Sequence, residues 1–264
     1  MSIEVKNLQV SYEKNVIIPH MDIQIPEEKI TVLIGRNGCG KSTFLKAVTG
    51  IIPFNNGTVM IDGVDRAKIS SKDVARKMAV LPQSPKAPEG LTVKELVSYG
   101  RFPYQKAFGG MSIHDLEMVD WAMKETHVYE YKDKLVESLS GGQRQRAWIA
   151  MAIAQETKLL LLDEPTTYLD LSHQLEILEL LQKLNQKNKT TIVMVLHELN
   201  QAVKFADHII GMKKGEVLFE GAPCDVITED NLRNLYHIEA ALQKNEEKGY
   251  PICIDYELVK DDEE

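Results

Sequence analysis

At 264 residues, with 44% hydrophobic and 27% charged content, the chain can hold one large domain or two modest ones around a sizeable core, which excludes disorder over most of its length. Its 31 Lys+Arg against 39 Asp+Glu give a net charge of −8, opposite to the basic surplus of nucleic-acid binders and ill suited to an anionic membrane surface, so no nucleic acid is expected as a partner. Three scattered cysteines (Cys39, Cys224 and Cys253) form neither a disulfide framework nor a zinc site and fit a reducing compartment, and no apolar run approaches the ~18 residues of a membrane span.

The opening MSIEVKNLQV lacks a basic segment followed by an apolar one, so no secretory signal is expected. IEVKNLQV alternates partly, and MDIQI cleanly, between apolar and polar residues, the period of an antiparallel β-layer. Ile30–Ile34 (ITVLI) is apolar on both faces, as a strand covered by helices on either side requires. It runs into GRNGCGKS, Gly35–Ser42, which matches G-x-x-x-x-G-K-[ST] and is followed by the helical TFLKAVTG. Glycines let successive backbone N–H groups turn inward around phosphates, and the helix N-terminus adds a positive dipole end. Lys41 is expected to reach the β- and γ-phosphates of a nucleotide and the Ser42 hydroxyl to ligate Mg²⁺, with Gly35, Asn37, Gly38, Cys39, Gly40 and Thr43 completing the cradle. A glycine-rich turn that binds nothing is the alternative, and the strand, helix, lysine and serine weigh together against it. Cys39 reads either as a thiol activated by the helix dipole, whose alkylation blocks nucleotide binding, or as an inert small filler.

Met78–Leu81 is a further strand, after which strands stop as far as Leu139. Pro82, Pro85, Pro88, Gly90 and Pro103 punctuate that region, and Ser112–Thr126 reads as a helix capped by Ser112, so a helical insert is expected. LSGGQ, Leu139–Gln143, opens directly into RQRAWIAMAIAQ. Alone, SGG reads as a flexible turn; ahead of that helix it sets a hydroxyl, bare amides and a dipole where a phosphate can dock. Leu159–Leu162 is a buried strand, and Asp163 emerges at its carboxyl end, where α/β sheets bind ligands. Asp163 suits Mg²⁺, through water, and Glu164 suits the orientation and deprotonation of an attacking water. By itself the run also reads as a strand ending in solvated acids. Thr191–Leu196 leads to His197, and His208–Met212 completes the strands; their alternation with helical stretches points to an α/β fold with a largely parallel sheet. After Gly221 the chain turns acidic and ends in KDDEE, whose residues are expected to be solvated. Each chemical motif occurs once.

In that order, over roughly residues 3–221, the motifs resemble those of ABC ATPases. The resemblance implies a P-loop NTPase (RecA-like) core with an antiparallel β-subdomain and an inserted α-helical subdomain. The nucleotide-binding domain is then 1–221, with its core at 1–83 and 157–221 and its helical part at 84–156, followed by a C-terminal extension, 222–264. Tyr12 matches the aromatic that stacks on adenine, although it also reads as a plain surface aromatic of a strand. Gln83 matches the glutamine that senses Mg²⁺ and the γ-phosphate, and Ser140, Gly141, Gly142 and Gln143 match the signature motif. Tyr168–Leu169–Asp170 resembles the D-loop, with Asp170 near nucleotide, and His197 sits at the switch histidine. Catalysis then falls to Glu164, His197 and Lys41, the metal to Ser42, Gln83 and Asp163, and the cofactors are ATP and Mg²⁺. Arg36 stands where the family usually has proline, Tyr168 where a small residue is common, and Glu198 where aspartate is usual; none removes a ligand.

In this family the signature caps the nucleotide of a second subunit, so a single copy of each motif implies a homodimer. The resemblance also implies a separate integral membrane permease, whose coupling helix docks on the helical subdomain. Tyr99, Phe102, Tyr104 and Phe108 read as part of that dock or as subdomain core. SYGRFPYQ and the block from SGGQRQRAWIAMAIAQ to LLQKLN resemble ATPases of bacterial iron(III)-siderophore importers. That likeness implies the cytoplasmic face of the membrane and, indirectly, an extracytoplasmic siderophore-binding protein. Haem and cobalamin importers share the architecture and stay open. A soluble ABC protein of DNA repair or translation is the competing class, and such proteins usually carry two cassettes or a long coiled coil.

Overall fold

The computed structural model describes residues 1–105, 109–167 and 169–259. They form two compact units, the first Ser2–Arg66 with Val193–Glu264, the second Met1 with Ala67–Ile192. Phe108, Tyr168 and the terminal KDDEE lie outside the described residues.

The first unit opens on β1 (Ile3–Tyr12), β2 (Asn15–Ile18) and β3 (Ile23–Ile25), followed by β4 (Ile30–Ile34), α1 (Lys41–Thr49), β5 (Asn56–Ile61) and β6 (Val64–Asp65). β1 runs antiparallel to β2, β3 and β5, in the order β2-β1-β5-β6 with β3 also on β1. This is the antiparallel layer that the alternation foretold. Ile3, Val5, Leu8 and Val10 are buried, and Ile3 lies opposite both Ile25 and Ile61. A slip of one residue would turn that apolar set to water, so burial pins the register.

The second unit holds α2 (Ser71–Lys77), β7 (Met78–Leu81), α3 (Val93–Ser98), α4 (Ile113–Glu125), α5 (Gly141–Ala154), β8 (Leu159–Leu162) and α6 (Leu171–Asn188). β9 (Thr191–Val195) begins here and ends in the first unit. The strand order is β9-β8-β7, with β7 parallel to β8 and all four residues of β8 buried. The expected helical region is present as α3, α4 and α5. Ser112 caps α4 as anticipated, in a reciprocal box with Asp115.

Between α3 and α4 the 3₁₀ stretch Tyr99–Tyr104 carries Arg101 into the interior, where it is only 1% exposed. Its Nε donates to Asp115 Oδ1 at 2.8 Å and its Nη1 to the Ala154 carbonyl at 2.8 Å, and the guanidinium lies 4.1 Å from the Tyr104 ring centroid. Burial works to raise the Asp115 carboxyl, but hydrogen bonds from Ser112 and Arg101 together hold it below the ordinary aspartate range. Breaking such a buried pair by removing one partner costs roughly 3–5 kcal/mol. The Arg101–Tyr104 stretch therefore ties α4 to the end of α5. Of the aromatics singled out above, Phe102 is exposed and stacks on half-buried Tyr99 at 4.7 Å, while Tyr104 is half-buried and donates to the Gln155 carbonyl.

Back in the first unit come α7 (Leu199–Phe205), β10 (His208–Lys213), β11 (Glu216–Gly221), α8 (Pro223–Val226), α9 (Glu229–Tyr236), β12 (Ile238–Lys244) and β13 (Pro251–Leu258). The order is β11-β10-β4-β9, with β10 parallel to β4 and β11 antiparallel to β10. Residues 222–259 are thus mostly folded, because Val226, Ile227, Leu232, Leu235 and Ala240 give them a buried apolar face. β12 and β13 form an antiparallel hairpin. The Asn200 amide on α7 clasps Cys253 of β13 from both sides of its peptide, donating to the carbonyl and accepting from the N–H at 2.9 Å each.

Candidate functional site

In the first unit, Gly35–Ser42 leaves the carboxyl end of β4 and enters α1. Gly35, Gly38 and Gly40 take positive φ values of 146, 77 and 107°. At Gly35 the requirement is absolute: a Cβ there would stand 2.3 Å from the Met212 carbonyl oxygen and 2.9 Å from Cys39 Sγ. Gly40 caps α1 without any side-chain hydrogen bond, so the helix opens on bare amides. Arg36, Asn37 and Gly38 are exposed, Cys39 is buried, and Ser42 and Thr43 are half-buried. Lys41 is only 5% exposed, and its Nζ donates to the carbonyls of Gly35 at 2.7 Å and Arg36 at 3.1 Å. A buried ammonium ringed by loop carbonyls and outward-turned glycine amides is a surface built for an anion. The turn after β10 holds the loop in place: Gly215 N–H donates to the Cys39 carbonyl at 2.9 Å.

His197 follows β9, and the neighbouring Leu196 N–H donates to the Leu33 carbonyl of β4. That places exposed His197 at the strand end beside the one from which the glycine loop departs. Tyr12, at the end of β1 opposite Asn15, is 44% exposed, so its ring faces are open to a stacking partner.

In the second unit, β7 and β8 end side by side with Leu81 opposite Leu162, and the Asp163 N–H donates to the Leu81 carbonyl at 2.8 Å. This parallel pairing brings Gln83 to Glu164 across 81 positions of sequence: Gln83 Nε2 donates to Glu164 Oε2 at 2.6 Å. The Thr167 hydroxyl donates to the same oxygen at 2.9 Å. Glu164 takes φ 52°, uncommon for a residue with a side chain, directly after buried Asp163. One carboxylate oxygen is thereby fixed and the carboxylate aimed by the backbone. Sequence reasoning missed Thr167; its spacing three residues past Glu164 was the available signal.

Ser140 is the N-cap of α5, forming a reciprocal box in which Ser140 Oγ accepts from Gln143 N–H and Gln143 Oε1 from Ser140 N–H. Ser140 and Gly141 are exposed, and Gly142 is buried against the His173 ring, which would lie 2.9 Å from an added Cβ. Asp170 caps α6 by accepting from His173 N–H at 3.0 Å and bonds the His173 ring at 2.7 Å. The His173 amide first, then the Ser172 hydroxyl and the His173 ring, pull its carboxyl down to about 2. His173 was not foreseen, since a lone histidine on a helix carries no signal of the glycine it covers.

Serine hydroxyl, glutamine amide and aspartate carboxylate oxygens, from Ser42, Gln83 and Asp163, are the donor types a hard divalent cation takes. Among the described residues no cluster of three or more His, Cys, Asp or Glu side chains could hold a metal by itself. None of the helices described is long and apolar enough to cross a membrane.

Residues 18–167 match the ABC transporter family. The iron(3+)-hydroxamate import ATP-binding protein FhuC of Bacillus subtilis (strain 168) is 50% identical over 263 residues, covering 100% of this chain and 98% of that protein. A structure described as an inward-facing metal-chelate type ABC transporter superposes with a TM-score of 0.82 at 28% identity, covering 96% of this chain and 98% of that one. The dimeric, post-hydrolysis structure of the ATP-binding cassette MJ0796 with ADP and Pi gives a TM-score of 0.74 at 28% identity, over 83% of this chain and 98% of that one. Matched by the family over more than half its length, and by an ATP-binding relative along the whole of it, this P-loop NTPase belongs to the ABC transporter family as one of its ATPases.

Proposed function

We propose that this chain is the ATP-hydrolysing subunit of an importer of iron(III)-siderophore complexes, working as a homodimer on the cytoplasmic side of a separate membrane permease. The permease in turn receives cargo from an extracytoplasmic siderophore-binding protein. The observation that carries the enzymatic part is the Gln83–Glu164–Thr167 constellation, a carboxylate fixed at one oxygen. Identity of 50% to an iron(3+)-hydroxamate import protein along the full chain supports the cargo class.

On this reading Gly35, Asn37, Gly38, Cys39, Gly40, Lys41, Ser42 and Thr43 hold the phosphates, and Tyr12 stacks on adenine. Lys41 exchanges its carbonyl partners for β- and γ-phosphate oxygens. Mg²⁺, held by Ser42, Asp163 and Gln83, neutralises charge on the phosphates when bound. Glu164 orients a water and takes its proton as the water oxygen bonds to the γ-phosphorus and the bond to the bridging oxygen breaks, releasing ADP. Gln83 and Thr167 keep the carboxylate from turning away, and His197 contacts the γ-phosphate. Ser140, Gly141, Gly142 and Gln143 of one copy cap the nucleotide of the other, with Asp170 nearby. Residues 84–156 form the helical subdomain inserted between core segments 1–83 and 157–221, and 222–264 is an extension.

Glu164→Gln is the test of the enzymatic part. Turnover is expected to fall about 100- to 10,000-fold, with ATP binding retained and a dimer accumulating on size-exclusion chromatography in ATP. A normal hydrolysis rate would remove Glu164 as the base. For the cargo, a deletion strain should lose growth on iron(III)-hydroxamate as sole iron source; loss confined to haem or cobalamin would sink the siderophore assignment.

A further inference from the structure

The residues after Gly221 touch the phosphate loop, and no motif covers them. α9 ends at Tyr236, more than 200 residues downstream of the loop. The Gly35 N–H donates to the Tyr236 phenolic oxygen, which also lies close to Cys39. Tyr236 is half-buried as a residue, and the buried surroundings of its hydroxyl push the phenol up to about 12, so it is a neutral O–H across the physiological range.

Gly35 is held from both ends. Its N–H meets Tyr236, and its carbonyl accepts from Lys41 Nζ at 2.7 Å. The tilt of these two successive peptides sets where the Lys41 ammonium rests and how the following amides are aimed. Gly35 has no room to adjust against β10, whose Met212 carbonyl already abuts its Cα. The C-terminal end of α9 is itself fixed on that strand, because Lys213 Nζ donates to the Asn234 carbonyl. Further along, β13 is clasped by Asn200, on the helix that starts two residues after His197.

We propose that the folded extension, 222–258, is a brace for the phosphate loop, and that Tyr236 is a positioning residue that sets the Gly35 peptide for nucleotide binding. The inference rests on reading Gly35–Ser42 as the nucleotide phosphate site. It also gives the extension a stated action: whatever moves α9 changes how tightly the loop grips nucleotide.

The test is Tyr236→Phe in the full chain, which keeps the ring and removes only the hydroxyl, alongside Lys41→Ala. Affinity for the fluorescent probe N-methylanthraniloyl-ADP should fall about 3- to 10-fold, the worth of one neutral hydrogen bond. KM for ATP should rise in parallel, with kcat within about twofold and an unchanged thermal midpoint. Unchanged affinity and KM overturn the proposal. A lowered midpoint with unchanged KM also overturns it, since the hydroxyl would then serve only the fold. If Lys41→Ala binds the probe normally, the phosphate-site reading itself fails and this inference with it. If Lys41→Ala loses binding while Tyr236→Phe does not, only the brace is lost.

Discussion

Two helices in this molecule begin at glycine-rich stretches, and they are built on opposite plans. α1 starts from Gly40, which offers no side chain to its amides, behind a loop bent by three left-handed glycines around a buried lysine. α5 starts from Ser140, whose hydroxyl and amide are both already engaged by Gln143, on an exposed surface. The first leaves its donors for a ligand and is shaped whether or not one arrives. The second satisfies itself from within and gains a phosphate only by trading away a bond it already has. A permanent cradle and a releasable cap are the two halves that a clamp driven by binding and loss of the γ-phosphate requires.

The comparison breaks first at Lys41. Lys41→Ala should lower ATP affinity roughly 100-fold, two charge-assisted hydrogen bonds at about 1.5 kcal/mol each, as read by equilibrium nucleotide binding. An effect under threefold would mean that the buried ammonium serves the loop and not the ligand. Ser140→Ala sharpens the other side. It should leave the affinity of a single chain for ATP unchanged, lower stability by about 1 kcal/mol through the lost cap, and reduce turnover, checked by denaturation and steady-state kinetics. Weakened binding in an isolated chain would make the signature a second cradle.

The smallest effect concerns Asp170, which caps the neighbouring α6. Its folded carboxyl titrates at about 2, below the unfolded value near ~3.9, so its contribution is complete above that value and is lost as pH falls through about 2. Between about pH 4 and pH 2 the thermal midpoint of the parent should therefore drop more steeply than that of Asp170→Asn. Parallel curves would remove the cap from the account.

What the sequence made legible follows the range of the interactions. Ile30–Ile34 and Leu159–Leu162 are buried on both faces and announce themselves by composition alone. Ser112 and Ser140 announce their helices because a cap and its partner lie three residues apart. The phosphate loop is legible because its glycines, lysine and serine are consecutive. Arg101 is not: an arginine reads as surface, and only the fold reveals Asp115, the Ala154 carbonyl and the Tyr104 ring that make its burial tolerable. Gln83 on Glu164 and Tyr236 on Gly35 are contacts across 81 and more than 200 positions, created by strand pairing and chain return. The first had a family likeness to point at it; the second had none.

The two-sided clasp of Asn200 on Cys253 carries one more consequence. β13 has β12 on one flank, and the other flank of such a hairpin is an open row of backbone donors and acceptors, a template on which a stray strand can grow. At Cys253 that row is already closed by a side-chain amide presenting the same pair of groups a neighbouring strand would bring. Strand-by-strand aggregation along this edge is interrupted there by a single asparagine, next to apolar Ile254, Tyr256 and Leu258, which are 61, 68 and 75% exposed.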